Sequence, residues 1–101
     1  MSQNHDITIN AAAALTREYR DNNPNQIKGG FFERDAFDEI LAQDDCIGIR
    51  YYYGLSTDGT PKLILVGVDS NGDDMINGPL MEMSSPCPHM CGNDNVLNGN
   101  I

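Results

Sequence analysis

The sequence predicts an α+β fold in which two helices pack on a small antiparallel sheet, formed by a hairpin with or without a third strand. Apolar residues recur at helical spacing on both sides of a turn-rich connector, and apolar and polar residues begin to alternate at Cys46. Asp-Gly and Asn-Gly dipeptides then separate the apolar runs, as hairpin turns do. The chain has 101 residues, so we expect one α+β domain over residues 1–83 and an irregular Cys- and Pro-containing tail over residues 84–101.

The first helix is predicted over residues 9–21. Thr8 is placed as its N-cap, and Pro24 ends it because proline cannot continue a helix. The connector that follows, up to Gly30, is rich in Asn, Pro and Gly and is typical of turns. One stripe of the helix carries apolar or small side chains: Ala11, Ala12, Leu15 and Tyr19.

The second helix is predicted over residues 33–43, where acidic side chains favour the helix N-terminus. Its two faces differ in character, so we expect the apolar face to pack on the sheet. The apolar face carries Ala36, Phe37, Ile40 and Leu41, and the acidic face carries Glu33, Asp35, Asp38 and Glu39.

A period of two over Cys46–Leu55 predicts a strand with one buried face. Residues 63–68 predict a second strand that pairs with the first across an Asp-Gly turn, and Asn71-Gly72 predicts a second hairpin turn. The sheet then has two strands, or three if a third runs over residues 74–83, where Asn77-Gly78-Pro79 would interrupt it with a bulge or a bend. Of the three consecutive tyrosines at 51–53, we expect two in the core and one exposed. The face expected to be buried carries Ile47, Ile49, Tyr51, Tyr53 and Leu55.

The net charge of the chain disfavours some classes of binding partner. With 15 acidic against 6 basic residues the net charge is -9, which repels nucleic acid phosphates and anionic membrane surfaces. The acids are spread from Asp6 to Asp94, so we interpret them mainly as a solubilising surface. No apolar run approaches the ~18 residues of a membrane span. We therefore expect neither a nucleic acid nor a membrane as partner.

The N-terminal run and the three cysteines bear on the compartment. The N-terminus lacks the basic region and the apolar core of a signal peptide, so we expect a cytoplasmic protein with reduced thiols. Under an export route without such a signal, Cys87 and Cys91 would be able to close a small loop as a disulfide.

Residues 81–91 concentrate soft and borderline metal donors: Met81, Met83, Cys87, His89, Met90 and Cys91. Thiolate and imidazole select zinc, and thiolates with thioethers suit copper(I), so we consider a single zinc or copper ion here. The competing interpretation needs no cofactor, because free cysteine and methionine commonly fill apolar cores. The ligands would be Cys46, Cys87, His89 and Cys91, with His5 as an alternative to His89.

Catalytic patterns are poorly represented. The two histidines, His5 and His89, lie near the chain ends, where a preorganised Ser-His-Asp triad is difficult to build. Gly29-Gly30 precedes a helix without the Lys-Ser/Thr of a phosphate loop, and residues 69–74 match only the opening of a calcium loop. We assign no catalytic residue and favour a non-enzymatic protein.

Four segments carry a resemblance: residues 31–43, 46–50, 65–69 and the Pro-Cys-Pro-His-Met-Cys run at 86–91. The chain resembles small uncharacterised bacterial proteins of unknown function that carry a C-terminal Pro-Cys-Pro-x-x-Cys segment. The resemblance spans about residues 7–97. It implies no activity, substrate or catalytic residue.

Two functions from different classes follow. The first is a small acidic interaction or assembly protein whose hairpin edge and C-terminal tail, anchored by Val96 and Leu97, dock onto a protein partner or another copy by strand addition. The second is a metal-binding module that uses the C-terminal Cys/His/Met cluster for zinc or copper. The sequence favours the first, because a second ligand pair for a zinc site is missing.

Overall fold

The structure is a computed structural model that describes residues 4–83 and 85–99. Two helices accompany two antiparallel sheets, one of three strands in the order β2-β3-β4 and one of two strands, β1-β5. The α+β class predicted from the sequence is therefore confirmed. In chain order the elements are α1 (Ile9–Asn22), β1 (Gly29–Phe31), α2 (Arg34–Leu41), β2 (Cys46–Leu55), β3 (Pro61–Asp69), β4 (Leu80–Glu82) and β5 (Ser85–Cys87).

Helix α1 begins where the sequence predicts. The Thr8 hydroxyl accepts a hydrogen bond from the Ala11 N–H at 3.0 Å, which satisfies one of the free donors of the first turn. We expected α1 to pack on the sheet, but none of its residues is buried, so the helix does not pack closely there. Polar contacts hold it instead: the Tyr19 hydroxyl donates to the Ile27 carbonyl, and Arg20 donates to the Leu97 carbonyl. Within residues 4–83 and 85–99, neither helix has the length and apolar character needed to cross a membrane.

Helix α2 supplies the centre of the core. Ile40 is fully buried and lies against Gly67 of β3. A Cβ built at Gly67 would lie only 3.2 Å from Ile40 Cγ2, and 2.7 Å from Nε2 at the flexible end of Gln43. A side chain at this position would therefore disturb the packing of Ile40 on β3, and glycine permits this close contact.

Strands β2 and β3 form the predicted hairpin. Tyr51 is opposite Leu65 in an antiparallel ladder that is interrupted only by an irregularity between Cys46 and Gly48. The turn is closed by the Ser56 N–H, which donates to the Thr60 carbonyl at 3.0 Å. The hydrophobic residues of β3 are the most buried in the sheet because β3 lies between two neighbours.

The third strand is shorter than predicted. Strand β4 covers only Leu80–Glu82, and Asp74 forms an isolated bridge with Val68 before it. Between them the Gly78 N–H donates to the Met75 carbonyl at 3.2 Å, so the Asn-Gly-Pro segment makes the expected interruption. The Asn-Gly turn before Asp74 is stabilised by Asp69, whose carboxylate accepts the N–H groups of residues 71 and 73.

The small sheet β1-β5 was not predicted from the sequence. Gly29 is opposite Cys87 and Phe31 is opposite Ser85, and the Lys28 N–H donates to the Cys87 carbonyl at 2.8 Å. A short strand therefore lies within the tail that we expected to be irregular. Met83 lies beneath Gly30, where an added Cβ would overlap its side chain.

We expect Ile40→Ala to lower the free energy of unfolding by about 2–5 kcal/mol, because it leaves a cavity between α2 and the sheet. The neighbouring Leu41 is 48% exposed, so Leu41→Ala should cost less than about 1 kcal/mol. Urea unfolding followed by circular dichroism measures both. Equal losses in the two variants would contradict the assignment of Ile40 to the core.

Candidate interaction surface on strand β2

Strand β2 lies at the edge of the three-stranded sheet. Its ten residues have β3 on one side, and none of the described strands pairs with the other side. Aromatic and β-branched residues dominate its sequence and contain no proline, which explains why this segment extends so far as a strand. A long edge strand offers free backbone groups along its length.

The hydrogen bonds of β3 show which residues of β2 carry these free groups. The Gly67 carbonyl accepts from Met75 and the Leu63 carbonyl accepts from Met83, both on the side of β3 that faces away from β2. In an antiparallel ladder, the residues opposite such positions direct their own N–H and C=O groups outward. Those residues are Ile49 and Tyr53, with Tyr51 between them in the same orientation.

The apolar face of β2 is exposed rather than buried. Tyr53 is 83% exposed, Leu55 75%, Ile47 68% and Tyr51 56%, and only Ile49 is half-buried. The prediction of one buried face is therefore wrong for most of the strand, and so is the prediction that two of the three tyrosines lie in the core. The physical reason is coverage: α2 packs near Gly67, which is opposite Ile49, and the strand continues beyond it.

The two exposed tyrosines interact with each other. The rings of Tyr51 and Tyr53 lie edge to face with centroids 5.7 Å apart, a favourable arrangement for aromatic pairs. They therefore form an ordered aromatic surface next to the free backbone groups of the same residues. We call the exposed side chains of Ile47, Tyr51, Tyr53 and Leu55, together with the free edge of β2, the β2 surface.

A polar network covers the opposite face of the sheet. Arg50 Nη1 lies 2.5 Å from Asp74 Oδ1, and the Tyr52 hydroxyl donates a short hydrogen bond to the other carboxylate oxygen. Because Arg50 is opposite Val66 and Asp74 is bridged to Val68, this network extends across the two buried valines. The network thus covers the face of the sheet that neither described helix contacts.

The network changes the ionisation of its members. The hydrogen bond from Tyr52 is the largest effect on Asp74 and lowers its pKa. Desolvation opposes it, and the hydrogen bond and charge of Arg50 add smaller lowering effects, so the pKa of Asp74 is lowered overall. The hydrogen bond to Asp74 raises the pKa of Tyr52. At the hairpin turn, hydrogen bonds from Ser56 and then Thr60 lower the pKa of Asp58 to about 2. Both carboxylates are therefore charged over the whole neutral and mildly acidic range.

The β2 surface lacks negative charge. Cys46–Leu55 contains no Asp or Glu although the chain has 15 acidic residues, and its one charged residue, Arg50, is paired with Asp74. The nearest acids in the sequence are Asp45, directly before the strand, and Asp58, three residues after its last residue. This part of the molecule therefore approaches another protein with less electrostatic repulsion than the rest of the surface.

An apolar groove of about 390 Å³ adjoins the β2 surface. It lies between α1 and the turn end of the hairpin, with Leu15 and Tyr19 on one wall, Tyr53 and Leu63 on the other, and Met83 between them. Leu97 of the tail also lines it, because its carbonyl is held by Arg20 at 2.6 Å. Of the two tail residues proposed as an anchor, Leu97 thus lies against α1, and both remain partly exposed.

The predicted metal ligands lie in two parts of the fold. Cys87 and Cys91 are joined by a disulfide with their Cα atoms 4.7 Å apart, the alternative that the sequence left open, and the exposed His89 lies in the loop between them. Cys46 lies at the start of β2, where its thiol donates to the Gly48 carbonyl at 3.3 Å. Within residues 4–83 and 85–99, no three His, Cys, Asp or Glu side chains are grouped so that they could hold a metal ion. The metal site stays a prediction.

Sequence reasoning missed the Arg50–Asp74–Tyr52 network. Its signal was nevertheless present in the two predicted hairpin turns, because their registers together place Arg50 and Asp74 on one face of the sheet. The free edge of β2 was foreseen as a feature of the hairpin, but the exposure of its apolar face was not.

Comparison of the chain with family models, with curated proteins and with solved structures found no match. The resemblance to small bacterial proteins with a Pro-Cys-Pro-x-x-Cys segment is therefore still an expectation.

We expect the stability of the protein to fall as the pH is lowered from about 4 to about 2. The pKa values of Asp58 and Asp74 are lower in the folded state than their ordinary value of 3.8, so both favour folding above that pH. This contribution is lost as the pH falls through the folded-state values. Urea unfolding at several pH values measures the slope.

Asp74→Asn should reduce this dependence on pH, because it removes one of the two carboxylates. The adjacent Asp73→Asn serves as the control, and its slope should stay close to that of the unchanged protein. An identical slope in Asp74→Asn would show that the network with Arg50 and Tyr52 does not couple ionisation to folding.

Proposed function

We propose that this protein is a small acidic interaction or assembly module that binds a protein partner through strand β2. The observation that carries the proposal is the coincidence of two features on one strand. The free N–H and C=O groups belong to Ile49, Tyr51 and Tyr53, and side chains of the same strand form an exposed apolar face. A partner strand would gain main-chain hydrogen bonds and side-chain contacts together.

Beyond the irregularity between Cys46 and Gly48, the edge lacks the usual protection against pairing. Natural edge strands are commonly short, or carry lysine, proline or inward-pointing charges that prevent association. Strand β2 has ten residues, no lysine and no proline, and its only charge is paired across the sheet. By contrast, β4 at the other edge has three residues, one of which is Glu82. The difference between the edges supports β2 as the binding edge.

The balance of buried and exposed residues supports the same proposal. The described core is small, with Ile40 as its only fully buried large side chain, while the apolar residues of β2 are exposed to solvent. Contiguous exposed apolar surface of this kind commonly marks a protein interface. The net charge of -9 keeps the rest of the surface soluble and directs association to the strand that lacks acids.

A charge placed on the β2 surface should abolish association. We expect Tyr53→Lys to prevent binding, because the partner would have to bury an ammonium group beside Tyr51. Sedimentation velocity over a range of concentrations measures self-association, and affinity capture from extracts of source cells measures binding of other proteins.

Ile76→Lys is the matched control. Ile76 is 70% exposed and lies outside β2, in the segment before β4, so the change adds the same charge at a similar exposure. It should leave both measurements unchanged. If Tyr53→Lys and Ile76→Lys behave alike in both, the proposal of binding through β2 fails.

A metal-binding module is the second candidate function. Cys87, His89 and Cys91 belong to one loop, and the Cα atoms of the two cysteines are close enough for both thiolates to reach one ion after reduction. Met90 adds a thioether, which suits copper(I) more than zinc. Cys46 would have to come from the other sheet to complete the predicted set, which makes this the weaker proposal.

We expect the reduced protein to bind about one zinc or copper(I) ion and the oxidised protein to bind none, because a disulfide removes both thiolates. Competition with a chromophoric chelator under anaerobic conditions measures the affinity. Cys91→Ser should abolish binding, and Cys46→Ser tests whether the third thiolate takes part. Equal binding by the oxidised protein or by Cys91→Ser would contradict a site at this loop.

A further inference from the structure

The sequence of β2 is complementary to itself when two copies are placed antiparallel. Outward-directed backbone groups must meet outward-directed groups, so Ile49, Tyr51 and Tyr53 of one copy must be opposite members of the same set in the other. With Tyr51 opposite its own counterpart, Ile49 is opposite Tyr53, and Leu55 comes next to Ile47, the residue at the irregularity between Cys46 and Gly48. Every residue of the β2 surface then faces another apolar residue.

The other face of the strand also fits this register. Arg50 comes opposite Tyr52 of the second copy, where a guanidinium group and an aromatic ring attract each other. Gly48 comes opposite Gly54, so no side chains collide there. Shifting the register by two residues in one direction places Arg50 opposite Arg50, which repels. Shifting it in the other direction leaves Ile47 beyond the end of the paired strand.

Charge permits a second copy along this strand. Two chains of net charge -9 repel each other over most of their surfaces, but Cys46–Leu55 contributes no acidic residue to the contact. The apolar area is also substantial. Tyr51 and Tyr53 expose more than half of their surface, on the order of 300 Å² per copy. Strand pairing covers the free backbone and the sides of these side chains that face the second copy, and their outer surfaces stay on the face of the joined sheet. The buried area is therefore smaller than the ~800 Å² per partner of a standard interface.

We propose that the partner of strand β2 is a second copy of this chain. Two β2 strands pair antiparallel about a two-fold axis at Tyr51, and the three-stranded sheets of both copies join into one continuous sheet. This inference rests on the proposed function and names its partner. The resulting dimer has no free β2 edge, and its apolar ridge of paired isoleucine, leucine and tyrosine side chains lies along one face of the joined sheet.

Disulfide trapping tests the register directly. Cys46 is first replaced by Ser, and single cysteines are then introduced as Ile49→Cys or Tyr53→Cys. In the proposed register these two positions are opposite each other with Cα atoms about 5.5 Å apart, within the range of a disulfide. Each position is about 14 Å from its own counterpart, which no disulfide spans. We expect a mixture of the two variants to form covalent dimers on mild oxidation, and neither variant alone to form a covalent dimer.

Two results would overturn the inference. Cross-linking of either variant with itself rather than with the other would show a different register or a different contact. Sedimentation of the unchanged protein as a monomer at millimolar concentration, in salt high enough to screen the net charge, would exclude a second copy as partner. This measurement does not depend on the folding of any variant.

Failure of this inference and failure of the proposed function are distinguishable. If the unchanged protein is monomeric and Tyr53→Lys still abolishes capture of a different protein, β2 binds another partner and only the dimer is excluded. If the protein is monomeric and Tyr53→Lys has no effect on capture, both proposals fail.

Discussion

The close packing of Ile40 against Gly67 is the interaction on which the rest of the structure depends. It brings the C-terminal end of α2 onto β3, the central strand, and creates the only fully buried large side chain of the described core. Contact at one end of the hairpin also determines what is left uncovered. The other end of β2 extends past the helix, and its tyrosines reach solvent. One well-packed contact therefore explains both the stability of the hairpin and the exposure of the β2 surface.

Neither face of the three-stranded sheet is fully covered by helices, and the two faces differ in what lies over them. On one face, the Arg50–Asp74–Tyr52 network lies over Val66 and Val68, and a satisfied polar cluster takes the place of a second layer. On the other face, nothing in the described chain covers Tyr53 and Leu55. A small domain buries a limited fraction of its surface, and association is a common way to complete such a core. This contrast links the small core to the proposal of assembly through β2.

The C-terminal segment from β5 to Leu97 contributes to the fold. Its strand β5 pairs with β1, the Cys87–Cys91 disulfide closes the loop that follows, and Leu97 is held against α1 through Arg20. The segment thus connects α1, which contributes no buried residue of its own, to the rest of the molecule. A change in the oxidation state of this loop would act at the end of β5 in the two-stranded sheet, whereas the β2 surface belongs to the other sheet.

The sequence by itself determined the local elements. Helix α1 with its Thr8 cap, helix α2, the β2-β3 hairpin and the interruption before β4 all follow from periodicity, capping and turn chemistry, which act over a few residues. Only the tertiary structure decided which faces are buried, because alternation in β2 shows that one face is apolar without showing what lies above it. The same limit applies to β1-β5 and to the Arg50–Asp74 pair, since each joins residues that are far apart in the chain. Contacts of that kind depend on how the elements assemble, and local patterns do not contain them.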